Sequence, residues 1–91
     1  MSVSVRIPTI LRSYTGGTAV VTGAPGTVRQ LIDGLDADYP GIGGRLLDDS
    51  GQLRRFVNVY VNDDDIRLSE GLDTPVASGG QVSVIPAVAG G

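Results

Sequence analysis

Apolar and polar residues alternate near both ends of the chain. In residues 3–7 and 81–86 an apolar side chain occupies every second position, and this period is typical of a strand with one buried face. A further β-rich segment, residues 18–22, follows the turn-forming pair Gly16-Gly17. We predict that the first two of these strands along the chain form a hairpin, because a glycine-containing loop joins them.

The strongest strand prediction is the segment of residues 56–61. One of its faces is formed by three valines: Val57, Val59 and Val61. The other face is formed by Phe56, Asn58 and Tyr60. Because the valine face is wholly aliphatic, we expect it to lie in the core. The second face is aromatic but polar-tipped, which suits an exposed surface or one that faces a partner.

One segment has the period of an α-helix. Its apolar residues are spaced by three and four positions: Val28, Leu31, Ile32, Leu35 and Tyr39. The preceding Thr27, with Gln30 three residues later, matches the capping box, and Pro40-Gly41 ends the segment. Gly34 inside the helix costs about 1 kcal/mol relative to alanine and is interpreted as a tolerated weakness.

The remaining segments carry weaker signals. Residues 45–47 fit a short helical turn, and residues 48–51 and 62–65 are rich in turn-forming residues. Residues 66–68 fit a short strand or a connector, and residues 69–80 are predicted to be a loop.

The order of predicted elements is ββαβ(β)β, which indicates an α+β domain. A mixed sheet of four to five strands with one main helix packed on one face is the β-grasp layout. The alternative is a ferredoxin-like arrangement, which would need a second full helix. We predict a β-grasp domain over residues 1–86, followed by a flexible C-terminal tail over residues 87–91.

The composition removes most catalytic chemistry. The chain has 91 residues with no cysteine and no histidine, and all seven basic residues are arginine. Thiolate and imidazole ligands, Ser-His-Asp catalysis and lysine chemistry are therefore excluded, and we expect neither a metal site nor an enzyme. The net charge of −3 argues against nucleic acid. Without a signal-peptide pattern or a membrane-length apolar stretch, we expect a cytoplasmic protein.

The last five residues are small or β-branched and uncharged: Ala87, Val88, Ala89, Gly90 and Gly91. Fully extended, they reach roughly 15–18 Å past the last strand. Because glycine has no Cβ, a Gly90-Gly91 end enters a narrow slot and its acyl carbon is unhindered. The alternative is that two final glycines are merely a frayed end.

Three blocks of sequence resemble the ubiquitin-like sulfur carriers of the MoaD/ThiS superfamily, in particular those that serve cysteine biosynthesis in actinobacteria. The resemblance runs essentially the full length of the chain. The blocks are Ile7-Pro8-Thr9-Ile10-Leu11-Arg12, Arg55-Phe56-Val57-Asn58-Val59-Tyr60-Val61-Asn62-Asp63 and Pro86-Ala87-Val88-Ala89-Gly90-Gly91.

The resemblance implies a cycle centred on Gly91. An E1-like enzyme with ATP and magnesium adenylates the Gly91 carboxylate, and sulfur transfer converts it to a thiocarboxylate. That sulfur then attacks an aminoacrylate on a pyridoxal-phosphate cysteine synthase that uses O-phosphoserine, and a zinc peptidase releases cysteine. Residues 87–90 would enter the partners' active sites. All of these cofactors belong to the partners; the carrier binds none permanently and is expected to be monomeric when free.

A docking face for the activating enzyme is a further hypothesis. By analogy with β-grasp carriers, this face consists of Arg55, Phe56, Asn58 and Tyr60. The alternative is that these side chains are simply covered by a loop.

Other functions also stay open: a carrier for molybdopterin, thiamin or another thiolated product, a ubiquitin-like protein modifier, or a plain interaction module.

Overall fold

The chain folds around a five-stranded mixed sheet. A computed structural model describes residues 2–55 and 57–86. The strands of this sheet are Val3–Arg6 (β1), Val20–Gly23 (β2), Val57–Val61 (β4), Asp64–Asp65 (β5) and Gln81–Pro86 (β7). Their order is β2-β1-β7-β4-β5. Two short strands, Gly26–Thr27 (β3) and Pro75–Val76 (β6), pair separately.

The last strand lies in the middle of the sheet. β7 pairs in parallel with β1 and antiparallel with β4, whereas β1 and β2 form the predicted antiparallel hairpin. Residues 82 and 83 of β7 are therefore paired on both sides, whereas residues 84–86 have register partners in β4 and none in β1. The described part of the chain ends at Pro86, whose register partner in β4 is Val57.

The main helix, Val28–Asp38 (α1), begins and ends where the sequence indicates. Thr27 is its N-cap, and both bonds of the capping box are present: the Gln30 backbone N–H donates to Thr27 Oγ1, and the Thr27 N–H donates to Gln30 Oε1. The predicted apolar positions Val28, Leu31, Ile32 and Leu35 are buried, and Tyr39 is half-buried against the core. Periodicity and capping chemistry thus agree along the whole helix.

Gly34 is exposed on α1, and a Cβ at this position would have no heavy atom within 4 Å beyond the helix's own backbone. Close packing therefore does not require a glycine at this position, which favours the interpretation of Gly34 as a tolerated weakness. We expect Gly34→Ala to raise the free energy of unfolding by about 1 kcal/mol, because alanine is the better helix former and restricts the unfolded chain. Urea unfolding followed by circular dichroism measures the change.

The matched control for this prediction is Gly41→Ala. Gly41 has a φ of +100°, and its added Cβ would lie 3.0 Å from Tyr14 Cε1. We expect this variant to be destabilised, since an L-residue is strained in that conformation. A loss of stability in Gly34→Ala would mean that Gly34 has a packing role that its surroundings do not reveal.

The valine face of β4 is buried as predicted. Val57, Val59 and Val61 are at most 8% exposed. The predicted turn after this strand is a two-residue hairpin turn between the paired residues Val61 and Asp64. Its central residues Asn62 and Asp63 have φ values of 50° and 78°, and two positive φ values are typical of the type I′ turn that suits the twist of a hairpin.

The predicted loop over residues 69–80 contains two short regular elements that the sequence did not indicate. The segment contains a 3₁₀ helix, Gly71–Asp73, and the strand β6. Pro75 lies within β6, which it can do because this two-residue strand has only β3 as a neighbour in its sheet and proline is tolerated at an edge. The backbone N–H of Val28 also donates to Thr74 O over 3.0 Å, which ties this segment to the start of α1.

Two other segments are 3₁₀ helices. Residues 66–68, predicted as a short strand or connector, form the 3₁₀ helix Ile66–Leu68, which Asp65 caps by accepting from the Arg67 backbone N–H. Residues Thr9–Thr15, between β1 and β2, form another. The predicted helical turn over residues 45–47 is the short helix Gly43–Leu46 (α2).

One helix across one face of a mixed sheet, with the last strand between the hairpin and β4, is the β-grasp arrangement. The ferredoxin-like alternative needs a second full helix, whereas the second α-helix of the described residues has four residues. No helix in this part of the chain is both long and apolar enough to cross a membrane.

Candidate functional site

The predicted tail follows the central strand of the sheet. β1 and β7 run in parallel, so their C-terminal ends lie at the same end of the sheet. The described chain stops there at Pro86, beside Val57 of β4 and three residues beyond the last residue of β7 that pairs with β1. Gly91 and residues 87–90 lie outside the described residues, and their predicted roles stay predictions. The structure fixes the base from which they extend.

The sheet has an open face on the side away from α1. Register places Val20, Arg6, Ser83 and Tyr60 in one row across four neighbouring strands. Alternate residues of β1, Val3 and Val5, are buried on the other face. The open face is therefore a continuous surface that ends where the tail begins.

The predicted docking residues are only partly brought together. Asn58 and Tyr60 lie on the open face of β4 and are half-buried, and Arg55 is exposed in the turn before that strand. Phe56 lies outside the described residues. Arg67 covers Asn58: its Nη1 donates to Asn58 Oδ1 over 2.7 Å and its Nη2 to Arg54 O over 3.0 Å. A long-range arginine contact thus shields part of the surface that the sequence indicates.

A groove lies beside the base of the tail. It has a volume of about 500 Å³, and its lining includes Arg6, Pro8, Ile10, Arg12 and Ile85. Ile10 is 65% exposed and Ile85 is 47% exposed, so the groove carries two aliphatic side chains that face solvent. The sequence pattern did not indicate this groove, although Ile85 is an apolar residue at a position of β7 where alternation predicts a polar one.

The two arginines of the groove differ in their hydrogen bonds. Arg12 Nε donates to Ile7 O over 3.1 Å, which holds its guanidinium beside the end of β1. Arg6 is exposed, and within residues 2–55 and 57–86 its side chain donates no hydrogen bond. The groove therefore combines two positive charges with exposed aliphatic surface.

Two titratable groups outside the groove have shifted pKa values. Hydrogen bonds from the Ser50 hydroxyl and then the Gln52 backbone lower the pKa of the Asp48 carboxyl. The hydrogen bond between Arg45 Nε and the Tyr14 hydroxyl raises the pKa of Arg45. Both contacts stabilise local structure near α2, and neither involves a predicted site residue.

The described residues offer no cluster of side chains for binding a metal ion. They contain no group of three or more His, Cys, Asp and Glu side chains that could hold a metal ion. The consecutive residues Asp63, Asp64 and Asp65 belong to the β4–β5 hairpin instead. What the described residues offer is a surface beside the point at which the predicted tail begins.

Sequence comparison identifies relatives over the whole chain. The ThiS family matches residues 5–91. The sulfur carrier protein CysO of Mycobacterium tuberculosis H37Rv is 53% identical over 93 residues, which cover 100% of both chains. The small archaeal modifier protein 3 of Haloferax volcanii is 40% identical over 65 residues, covering 71% of this chain and 70% of the relative.

Solved structures agree with the fold. A chain in the crystal structure of the Amycolatopsis orientalis BexX/CysO complex superposes with a TM-score of 0.91 at 47% identity, covering 98% of this chain and 99% of that chain. The crystal structure of Mycobacterium tuberculosis CysO gives a TM-score of 0.90 at 51% identity, with 94% and 99% covered. These similarities confirm the predicted β-grasp fold.

Proposed function

The chain belongs to the ThiS family, and from this premise we propose that it is a sulfur carrier of cysteine biosynthesis that works through a thiocarboxylate at Gly91. The observation that carries the proposal is the position of the Gly-Gly end. The family match extends to residue 91 and so includes the tail, which follows the central strand β7. The 53% identity to CysO supports the cysteine route among the possible products.

Activation is the first step. The Gly91 carboxylate attacks the α-phosphate of ATP on an E1-like enzyme, which forms an acyl-adenylate and releases pyrophosphate. Five small residues let the carboxylate reach a buried active site, because Gly90 and Gly91 present no side chain to its walls. A sulfur donor then displaces AMP and leaves a thiocarboxylate.

Delivery is the second step. The thiocarboxylate sulfur attacks the β-carbon of an aminoacrylate that a pyridoxal-phosphate cysteine synthase forms from O-phosphoserine. The product carries cysteine as a thioester at Gly91, and an S-to-N acyl shift turns it into an amide. A zinc peptidase then hydrolyses this amide, which frees cysteine and restores the Gly91 carboxylate.

The carrier contributes tethering and not catalysis. A thiocarboxylate is a soft nucleophile at neutral pH, and fixing it to a protein gives it a high effective concentration in the partner's active site. In the proposed cycle ATP, magnesium, pyridoxal phosphate and zinc are held by the partners, and all steps take place in the cytoplasm.

A chemical property of the sequence gives a direct test. The chain has no cysteine, so a thiocarboxylate would be its one strongly nucleophilic sulfur group. We expect iodoacetamide to modify protein purified from its native host at a single position, which peptide mass spectrometry maps to Gly91. Protein made without sulfur-transfer partners is the control and should stay unmodified. An absence of adduct in both samples would contradict the proposal.

A protein modifier is the second candidate function. The similarity to the small archaeal modifier protein 3, over 71% of the chain, favours it. In that case Gly91 would become attached to lysine side chains of other proteins, and immunoblots of host extracts would show conjugates of high mass.

A carrier for molybdopterin, thiamin or another thiolated product would form the same thiocarboxylate at Gly91. Supplementing a deletion strain with cysteine separates that case from the cysteine route.

A further inference from the structure

We propose that the arginines around the base of the tail determine the specificity of the loading reaction, because their guanidinium groups are cations that the activated Gly91 acyl group cannot acylate. Five of the seven arginines form this set, here named the arginine cluster: Arg6, Arg12, Arg54, Arg55 and Arg67. The inference rests on the proposed function, since Gly91 is an acyl electrophile only within that cycle.

The tail can bring its terminus only to groups within a limited distance of Pro86. Five extended residues span roughly 15–18 Å. Val57 is the register partner of Pro86, and the Cα atoms of paired antiparallel residues lie about 4.5–5.5 Å apart. Groups held against the first residues of β4 are therefore within the reach of the tail.

Three members of the arginine cluster lie at that start of β4: Arg54, Arg55 and Arg67. The Val57 backbone N–H donates to Arg54 O over 3.0 Å, and Arg55 is the next residue and is exposed. Arg67 Nη2 donates to the same Arg54 oxygen over 3.0 Å, and Arg67 Nη1 donates to Asn58 Oδ1 over 2.7 Å. Because Asn58 follows Val57 directly, all three arginines lie on the β4 side of the end of β7.

The other two members lie on the β1 side. Arg6 is the register partner of Ser83, which precedes Pro86 by three residues, or about 10 Å along the strand. Arg6 and Arg12 line the groove that Ile85 also lines. The base of the tail therefore has guanidinium groups on both sides.

A lysine at any of these positions would compete with the sulfur donor. Its unprotonated Nζ would attack the Gly91 acyl carbon, AMP would leave, and the nitrogen would lose a proton to solvent, which leaves an isopeptide bond within the chain. A flexible tether gives such a pair of groups an effective concentration in roughly the millimolar range. A guanidinium group stays protonated in proteins and offers no nitrogen lone pair, so arginine keeps the charge without this side reaction.

The other nucleophiles of the chain do not take the place of lysine. The sequence has no cysteine or histidine, and hydroxyl groups are weak nucleophiles unless a neighbouring base activates them. Ser2 lies near the start of β7, because the Gly79 N–H donates to Ser2 O over 2.9 Å. The six residues of β7 span about 17 Å from there to Pro86, so Ser2 lies at the other end of the sheet from the tail.

The test uses the full chain prepared with a small-thiol thioester at Gly91, which stands in for the acyl-adenylate and needs no partner enzyme. We expect Arg6→Lys and Arg55→Lys each to lose the thioester about tenfold faster than the wild type at about pH 8. Their product should be one water lighter than the free acid, and peptide mass spectrometry should map the new bond to the introduced lysine. The wild type should give the free acid alone.

The matched control is Arg29→Lys, which makes the same change outside the arginine cluster. Arg29 lies in the first turn of α1, on the other face of the sheet from the groove, and the preceding Val28 N–H donates to Thr74 O shortly before β7 begins. We expect this variant to hydrolyse at the rate of the wild type, since the tail does not extend around the sheet. Thermal unfolding verifies that each variant is folded.

The outcomes separate this inference from the proposed function. Plain hydrolysis in both cluster variants, or covalent dimers in place of the internal bond, would overturn the inference because the tail would not reach the cluster. An internal bond in the wild type or in Arg29→Lys would overturn it as well. If the host's activating enzyme does not adenylate the wild-type carrier, the proposed function fails, whatever the thioester experiment gives.

Discussion

Deletion of Gly91 is expected to abolish sulfur transfer completely and to leave thermal unfolding unchanged. The acyl carbon that carries sulfur would move back by one residue, and a mismatch of this size at a reacting centre removes productive geometry. The core would be unaffected, because the buried apolar residues of the described chain lie between Val3 and Val84. Cysteine formation in a reconstituted mixture of carrier and partner enzymes measures the activity, and circular dichroism measures the unfolding.

Two further variants of the terminus make this result specific. A serine added after Gly91 keeps every native residue but removes the glycine carboxylate, and we again expect complete loss of transfer. Gly91→Ala keeps the carboxylate and adds one Cβ, so an intermediate activity is expected if the slot is narrow. Full activity in the serine-extended protein, with the added residue still present by mass spectrometry, would refute the mechanism.

Leu31→Ala is expected to lower the free energy of unfolding by about 2–5 kcal/mol. Leu31 is 3% exposed and lies on the face of α1 that packs on the sheet. The truncation removes buried methyl groups and leaves a cavity that a close-packed core fills only in part. Chemical denaturation of both proteins under the same conditions gives the difference.

Leu68→Ala is the control for the core prediction. The same chemical change at a side chain that is 87% exposed should alter stability by less than about 0.5 kcal/mol. If the Leu31 variant lost less than about 1 kcal/mol, the site would have to collapse around the cavity far more completely than core leucines usually allow.

Short-range chemistry made much of this fold predictable. The capping box at Thr27 and Gln30 places the start of α1 because both bonds join residues three positions apart. The alternation in residues 57–61 identifies the core face of β4 because strand geometry alone sends neighbouring side chains to opposite sides. Local rules are sufficient wherever the deciding contacts are local.

Long-range contacts set the limits of prediction. The strand β6 contains Pro75, which argues against a strand until its pairing with β3 is known. The cover that Arg67 gives to Asn58 depends on a side chain nine residues away. Ile10 and Ile85 share a groove only because β1 and β7 pair in parallel, and nothing near either residue in the sequence indicates that pairing.

The sequence predicts the chemistry of the candidate site but not the surface that surrounds it. The absence of cysteine, histidine and lysine leaves few reactive groups, and the Gly-Gly end is visible in the sequence. The structure adds that the predicted tail follows the central strand of the sheet, with two arginines and two exposed isoleucines around the groove at the end of that strand.

The intact mass of the protein purified from its native host during growth without added cysteine tests the account most directly. We expect two forms besides the free carboxylate: one with a single oxygen of the terminus replaced by sulfur, and one with a single cysteine attached at Gly91. A population that remains entirely the unmodified carboxylate under these conditions would contradict the claim that Gly91 carries sulfur.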